Sequence, residues 1–172
     1  VCKRGQAFGM RVVGVDPAPK ARPEYIAKIY DPADLHVALG ESDFVVVCVP
    51  HTIETEYMLG DDGQREMKEG SILVNIGRGK VVDLMALAQH LESGHIGGAA
   101  LDVYEEEPLP SDHPLWKMEQ VLLTPHVAGI SPEVQGRREG VIVENARRFS
   151  VGEPLLNVVD KEKGYVVAEN PE

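Results

Sequence analysis

Five short apolar runs, each bounded by glycine, proline, aspartate or asparagine, constrain what this sequence can fold into. They are residues 11–15, 44–49, 71–75, 98–103 and 121–124. Continuous runs of this length that are rich in valine, isoleucine, leucine and alanine are typical of strands buried on both faces of a parallel sheet. Helical patterns lie between the runs, so the order of elements predicts an α/β fold with a doubly wound parallel sheet.

The connecting segments carry helix start and stop signals. One helix is predicted from a cap at Asp31 to a stop at Gly40, and a second from a cap at Asp83 to a stop at Gly94. A third and longer helix is predicted over about residues 132–150. The buried face of the second helix is predicted to consist of Leu84, Leu87, Ala88 and Leu91.

Composition narrows the classes of partner. The formal net charge of −11 argues against nucleic acid, because binding to phosphates requires a basic face. No segment approaches the roughly 20 consecutive apolar residues of a membrane span, so no membrane partner is expected. The two cysteines do not indicate a disulfide scaffold, and this favours a reducing, cytoplasmic location.

Ligands in doubly wound sheets bind outside the carboxyl ends of the strands, which directs attention to the residue after each run. Asp16 directly follows the first run. A carboxylate at this place accepts hydrogen bonds from the adenosine ribose hydroxyls and repels a 2′-phosphate, so it favours NAD over NADP. The alternative is an ordinary turn residue before Pro17.

Three further side chains follow later runs. The guanidinium of Arg78, between two glycines, suits a substrate carboxylate, although an isolated arginine is more often a surface residue. His126 stands just beyond the last run, where it can act as an acid or a base, and Glu107 can hold such an imidazole. Alone, a histidine in such a place is more often structural, and Glu107 can be one of three solvated glutamates.

Taken together, the motifs are far more specific. The chain resembles the D-isomer-specific 2-hydroxyacid dehydrogenase family from about residue 8 to residue 159. The resemblance rests on three motifs in order: NIGRG at 75–79, GAALDVY at 98–104 with Glu107-Pro108, and TPHVAG at 124–129. It implies a Rossmann-type domain and NAD-dependent hydride transfer between nicotinamide and a small D-2-hydroxy or 2-keto acid. The substrate would be glyoxylate- or hydroxypyruvate-like, D-lactate-like or D-3-phosphoglycerate-like.

The resemblance also implies roles for individual residues. Arg78 would bind the substrate carboxylate and carbonyl oxygen, His126 would exchange the proton, and Glu107 would keep His126 basic, with no metal needed. Asp102 would contact the nicotinamide carboxamide. The remaining cofactor contacts implied are Ile76, Gly77 and Gly129 near the nicotinamide, and Pro50 and Thr55 near the adenosine and phosphates.

The sequence departs from the family pattern at its beginning. The family's Gly-x-Gly-x-x-Gly loop and the strand before it are not present ahead of residue 11, so we expect these residues to belong to a longer chain with a substrate domain. The expected division is a partial nucleotide-binding domain over 1–130, a helix and returning segment over 131–160, and a polar tail over 161–172. The family suggests a homodimer. A dinucleotide-sensing or corepressor-like module, or an inactive fragment, is the alternative to an enzyme.

Overall fold

The computed structural model describes residues 1–17 and 22–166. Within these residues the strands are β1 Val13–Val15, β2 Lys28–Tyr30, β3 Phe44–Val47, β4 Ser71–Asn75, β5 Ile96–Leu101, β6 Val121–Leu123, β7 Val159–Asp160 and β8 Tyr165–Val166. The α-helices there are α1 Cys2–Ala7, α2 Leu35–Glu41, α3 Asp61–Arg65, α4 Leu84–Glu92 and α5 Pro132–Val151.

A four-stranded sheet forms the centre of the molecule, in the order β3-β4-β5-β6. All three pairings are parallel, and one row across the sheet runs from Val46 through Val74 and Ala100 to Leu122. Because the strands are parallel, their carboxyl ends meet at one edge. The predicted α/β fold with a parallel sheet is confirmed.

β1 and β2 pair with each other in a separate parallel sheet, and β1 is not a neighbour of β3 in the described residues. This agrees with the expected absence of a strand between them. The sequence did not predict β2, because the strand has only three residues and one of them is Lys28. Tyr30 is nevertheless buried.

α4 packs against the central sheet and carries much of the core. The Asp83 carboxylate caps it by accepting from the amides of Met85 and Ala86, both at 2.9 Å. Gly94 lies beyond its end with φ of +79°, a left-handed conformation that glycine adopts without strain. The four apolar residues predicted to be inward are all buried: Leu84, Leu87, Ala88 and Leu91.

Several predicted strand boundaries are wrong by two residues. β1 begins at Val13 rather than at residue 11, β3 ends at Val47, and β5 runs two residues earlier than expected. Apolar composition does not record where the neighbouring strand stops pairing. Gly97, which resembles a strand boundary in the sequence, lies inside β5. A glycine is needed there because a Cβ would come within 2.5 Å of the Gly70 carbonyl oxygen.

The helix predicted over about 132–150 is observed as α5, and Gly152 ends it with φ of +74°. None of its residues is buried, and the apolar side chains of Ile142 and Phe149 are exposed. β7 and β8 form an antiparallel pair across the predicted boundary at residue 160. The division at 130 and 160 stays a prediction, and residues 167–172 of the predicted tail lie outside the described residues.

Among the helices of residues 1–17 and 22–166, none combines the length and the apolar character needed to cross a membrane.

Replacing Leu87 with alanine should lower the free energy of unfolding by about 2–5 kcal/mol, because the side chain is fully buried between α4 and the sheet. Met85 on the same helix is 53% exposed, so Met85→Ala is the matched control, with an expected change within about 0.5 kcal/mol. Urea denaturation of the two variants measures the difference. Equal losses would show that this side of α4 does not form the core.

Candidate active site

A buried asparagine shapes the loop that follows β4. The Oδ1 atom of Asn75 accepts from the Gly77 amide at 3.0 Å, and its Nδ2 donates to the Arg78 carbonyl at 3.1 Å. The Arg78 guanidinium donates to the Gly77 carbonyl at 2.7 Å. Asn75 therefore fixes the backbone that presents the exposed Arg78 side chain at the carboxyl end of β4.

The same loop lies directly on the segment that follows β5. A Cβ atom at Gly79 would collide with the carbonyl group of Tyr104. Only a residue without a side chain allows this approach of two backbones. The contact brings the Arg78 loop beside the acidic segment 105–107, although no hydrogen bond or ion pair joins Arg78 to Glu107 or His126 among the described residues.

Glu107 and His126 form a direct pair between the segments that follow β5 and β6. His126 Nδ1 and Glu107 Oε2 are 2.7 Å apart, and the side chains are 46% and 38% exposed. The other carboxylate oxygen of Glu107 accepts from the Tyr104 amide at 3.1 Å. The hydrogen bond from His126 is the largest cause that lowers the pKa of Glu107 below its usual value, so Glu107 is an anion beside the imidazole.

Asp102, at the end of β5, is buried and holds the chain that follows β6. Its carboxylate accepts from the Thr124 hydroxyl at 2.6 Å and from the amides of Val127 and Ala128, both at 2.8 Å. Burial by itself raises the pKa of Asp102, but these hydrogen bonds outweigh it and lower the pKa below the usual value. The ionised carboxylate thus holds the chain on both sides of His126, through the Thr124 side chain before it and two backbone amides after it.

His126 itself has a left-handed backbone, with φ of +54°. Such a conformation in a residue other than glycine costs on the order of 1–3 kcal/mol, and it persists only where the surroundings determine it. Here the His126 amide donates back to the Thr124 carbonyl at 3.0 Å, and Asp102 holds the residues on either side. The strained turn therefore directs the imidazole toward Glu107.

Of the residues predicted to contact the nicotinamide, three lie in or beside one hollow, and Gly129 lies in an exposed loop. Ile76 and Asp102 line one hollow of about 230 Å³ at the carboxyl ends of β4, β5 and β6. Gly77 is buried beside it, where a Cβ would come within 2.8 Å of the Val49 carbonyl oxygen. Gly129 is exposed and has open space around its Cβ position. The other lining residues are Val74, Ala100, Leu101, Leu122, Thr124, Val127 and Ala128.

The residues predicted to contact the adenosine and phosphates lie after β1 and after β3. The Thr55 hydroxyl donates to the Pro50 carbonyl at 2.7 Å and accepts from the Thr52 amide at 2.8 Å, which closes the loop after β3. Asp16 is exposed at the end of β1, and its amide donates to the Tyr30 carbonyl at 3.3 Å. Pro50 and Thr55 thus come together, whereas Asp16 lies at the end of the separate sheet.

Sequence reasoning missed three residues that shape the site: Asn75, Tyr104 and Thr124. All three lie inside the quoted motifs, within two residues of ones that were singled out. The available signal was a polar group at the end of an apolar run, where a buried side chain must find hydrogen-bond partners. Groups of histidine, cysteine, aspartate and glutamate able to hold a metal ion are not found within the described part of the chain.

Comparison with known families identifies the family to which this chain belongs. Residues 1–128 match the model of the D-isomer specific 2-hydroxyacid dehydrogenase family, NAD binding domain. The chain belongs to this family. The family resemblance seen in the motifs is thereby confirmed, and NAD binding holds as a property of the family's domain.

Dehydrogenases and reductases of this family are also the chain's relatives among curated proteins. It is 44% identical over 163 residues to a glyoxylate reductase of Korarchaeum cryptofilum, covering 94% of this chain and 48% of that protein. It is 38% identical over 161 residues to a D-3-phosphoglycerate dehydrogenase of Archaeoglobus fulgidus, covering 93% of this chain and 30% of that protein. The chain therefore spans about half or less of the length of these relatives.

Solved structures of 2-hydroxyacid dehydrogenases share the fold. An NADPH-dependent glyoxylate/hydroxypyruvate reductase from Sinorhizobium meliloti, solved with NADP and sulfate, has a TM-score of 0.86 and 33% identity, over 95% of this chain and 52% of that one. A probable 2-hydroxyacid dehydrogenase from Rhizobium etli, in complex with NADP, has a TM-score of 0.83 and 31% identity, over 95% of this chain and 52% of that one. The predicted Rossmann-type fold is confirmed.

Gly79→Ala should lower the free energy of unfolding by about 1–3 kcal/mol or more, because the added methyl group meets backbone atoms that cannot rotate away. Gly136→Ala is the matched control: nothing lies within 4 Å of its Cβ position on α5, so the change should stabilise the helix by up to about 1 kcal/mol. Thermal or urea denaturation measures both. A Gly79→Ala variant as stable as the wild type would contradict the close approach of the two loops.

Proposed function

We propose that this chain is the nucleotide-binding and proton-transferring part of an enzyme that interconverts a small 2-keto acid and its D-2-hydroxy acid. The observation that carries the proposal is the Glu107–His126 pair, 2.7 Å apart, at the edge where β5 and β6 end. A carboxylate bonded to an imidazole beside a ligand edge is the arrangement expected of a general acid and base.

The proton transfer follows from the orientation of the imidazole. Nδ1 of His126 is engaged with Glu107, so Nε2 is the nitrogen left to exchange a proton with substrate. In reduction, Nε2–H gives its proton to the keto oxygen as that oxygen gains negative charge; in oxidation, the neutral Nε2 takes the proton of the hydroxyl group. The Glu107 anion stabilises the charged imidazole in either direction.

Arg78 is proposed to bind the carboxylate of the same substrate. The side chain is exposed at the end of β4, and Gly79 brings its loop against the segment that leads to Glu107. A guanidinium can hold a carboxylate through two parallel hydrogen bonds, which also orients the carbonyl carbon. Positive charge beside the developing oxyanion stabilises the transition state further.

The nicotinamide end of the nucleotide fits the hollow beside Asp102. That hollow of about 230 Å³ has mostly apolar walls, which suits the flat face of a pyridine ring. When bound, the nucleotide supplies or accepts the hydride. Ile76, Gly77 and Gly129 are proposed as neighbours of that ring, and Pro50 and Thr55 as neighbours of the adenosine and phosphates.

Asp102 is proposed to act mainly through the backbone. Both of its oxygens already accept hydrogen bonds from the segment 124–128, so a carboxamide would have to share them. Its first effect is to hold the turn that carries His126.

The substrate is proposed to be glyoxylate or hydroxypyruvate rather than a larger 2-keto acid. The support is that relatives 37–44% identical over most of this chain are named glyoxylate reductases. NAD is proposed over NADP because of Asp16, whose charge repels a 2′-phosphate. A homodimer and a cytoplasmic location stay predictions.

His126→Ala should lower kcat for glyoxylate reduction by a factor of about 100 to 10,000, the usual contribution of a general acid, while the dissociation constant of NADH changes little. The measurements are NADH oxidation by the full-length protein that contains this chain, and nucleotide binding by fluorescence. His36→Ala, on the exposed surface of α2, is the matched control and should keep normal turnover. Activity that survives His126→Ala would refute the assigned role. A wild-type protein that binds NADH but reduces no 2-keto acid would indicate a binding module.

Asp16→Ser should shift the ratio of kcat/KM for NADPH to that for NADH upward by about tenfold, because removing one charge near a phosphate relieves about 1.4 kcal/mol of repulsion. Asp34→Ser removes an exposed carboxylate at the start of α2 and should leave that ratio unchanged. Steady-state kinetics with both nucleotides measure the shift. An unchanged ratio in Asp16→Ser would show that another residue discriminates between NADH and NADPH.

A further inference from the structure

Tyr104 is buried where β5 and β6 end. Its hydroxyl lies 2.8 Å from the Thr124 carbonyl oxygen and 3.1 Å from the Leu101 carbonyl oxygen, and it can donate to either. The Leu101 carbonyl also accepts the Thr124 amide, at 2.9 Å. The phenol therefore closes the last pairing between the two strands from which the site loops leave.

The Thr124 carbonyl has a second donor, the amide of His126, at 3.0 Å. This hydrogen bond spans Pro125 and accompanies the left-handed backbone of His126. The Tyr104 hydroxyl thus holds the same oxygen atom that the tight turn of His126 uses.

The backbone of Tyr104 reaches the other member of the pair. Its amide donates to Glu107 Oε1 at 3.1 Å, while Glu107 Oε2 accepts from His126. One residue therefore contacts both partners, Glu107 through its main chain and the turn of His126 through its side chain.

We propose that Tyr104 is a positioning residue for proton transfer, whose hydroxyl holds the His126 turn at the distance at which the imidazole meets Glu107. The inference rests on the proposed function and adds to it a residue that touches neither substrate nor cofactor. The phenyl ring alone would fill the same space, so the hydroxyl carries the specific effect.

Burial and the nearby carboxylates keep the phenol protonated, so it remains a hydrogen-bond donor. Burial first, and then the carboxylates of Asp102 and Glu107, raise the pKa of Tyr104 above its usual value. The titratable groups that bear on Glu107 are His126, which lowers the pKa of Glu107, and Asp102, which raises it. The pKa of Glu107 therefore depends on the distance between its carboxylate and the His126 imidazole.

The test is Tyr104→Phe in the full-length protein, with the Glu107 carboxyl followed by carbon NMR against pH. Loosening the turn should weaken the His126 hydrogen bond and raise the pKa of Glu107 toward its ordinary value of 4.5. Since the pair is lost when Glu107 is protonated, the acid limb of kcat/KM should move to higher pH. At the optimum, kcat should fall about 3- to 10-fold, the factor that one net hydrogen bond supplies, with little change in the KM of the nucleotide.

Tyr30→Phe is the matched control, because Tyr30 is also buried and its hydroxyl donates to Glu41 at 2.9 Å, outside the site. It should lose similar stability without moving the Glu107 titration or the acid limb. His126→Ala gives the upper limit of the pKa shift of Glu107, because it removes the hydrogen bond altogether.

A Glu107 titration in Tyr104→Phe that matches the wild type, or one that Tyr30→Phe moves equally, overturns the proposal. If the wild-type protein reduces no 2-keto acid, the proposed function fails on its own. The NMR titration needs no turnover and still decides whether Tyr104 positions the pair.

Discussion

The ionised carboxylate of Asp102 holds the site together. It is buried at the end of β5 and captures a hydroxyl and two backbone amides from the chain that leaves β6. Without these hydrogen bonds a buried charge would be strongly unfavourable, and the left-handed turn at His126 would have no partner on either side. The parallel sheet brings the two strand ends together, and Asp102 converts that proximity into a fixed position for one imidazole.

The other parts of the site are held in the same way, by a buried polar group that binds the backbone of a loop. Asn75 folds the turn that carries Arg78, and Tyr104 ties Glu107 to the end of β6. Gly79 lets two of these loops touch. The groups proposed for chemistry, Arg78, Glu107 and His126, are all exposed, whereas the groups that orient them are buried. This division suits catalysis, since reacting groups must meet substrate while their supports must not move.

Much of this was predictable. Apolar runs identified five of the six strands that form parallel pairs in the described residues, and the cap at Asp83 with the stop at Gly94 identified α4. The sequence missed β2, because three residues with one lysine carry too little periodicity to predict a strand. It also misplaced the ends of β1, β3 and β5, because strand length depends on the neighbour's pairing, which a single sequence does not contain.

By itself, the sequence determined which residue types follow the strands: a guanidinium after β4, an acidic segment after β5 and an imidazole after β6. The parallel order of the strands brings these three ends to one edge. Only the tertiary structure decided which atoms meet. It brought Glu107 within 2.7 Å of His126 while leaving Arg78 bonded to its own loop, and it turned Asp102 toward the backbone of segment 124–128. The reason is physical: hydrogen bonds require sub-ångström placement, and that placement comes from packing between loops far apart in the chain.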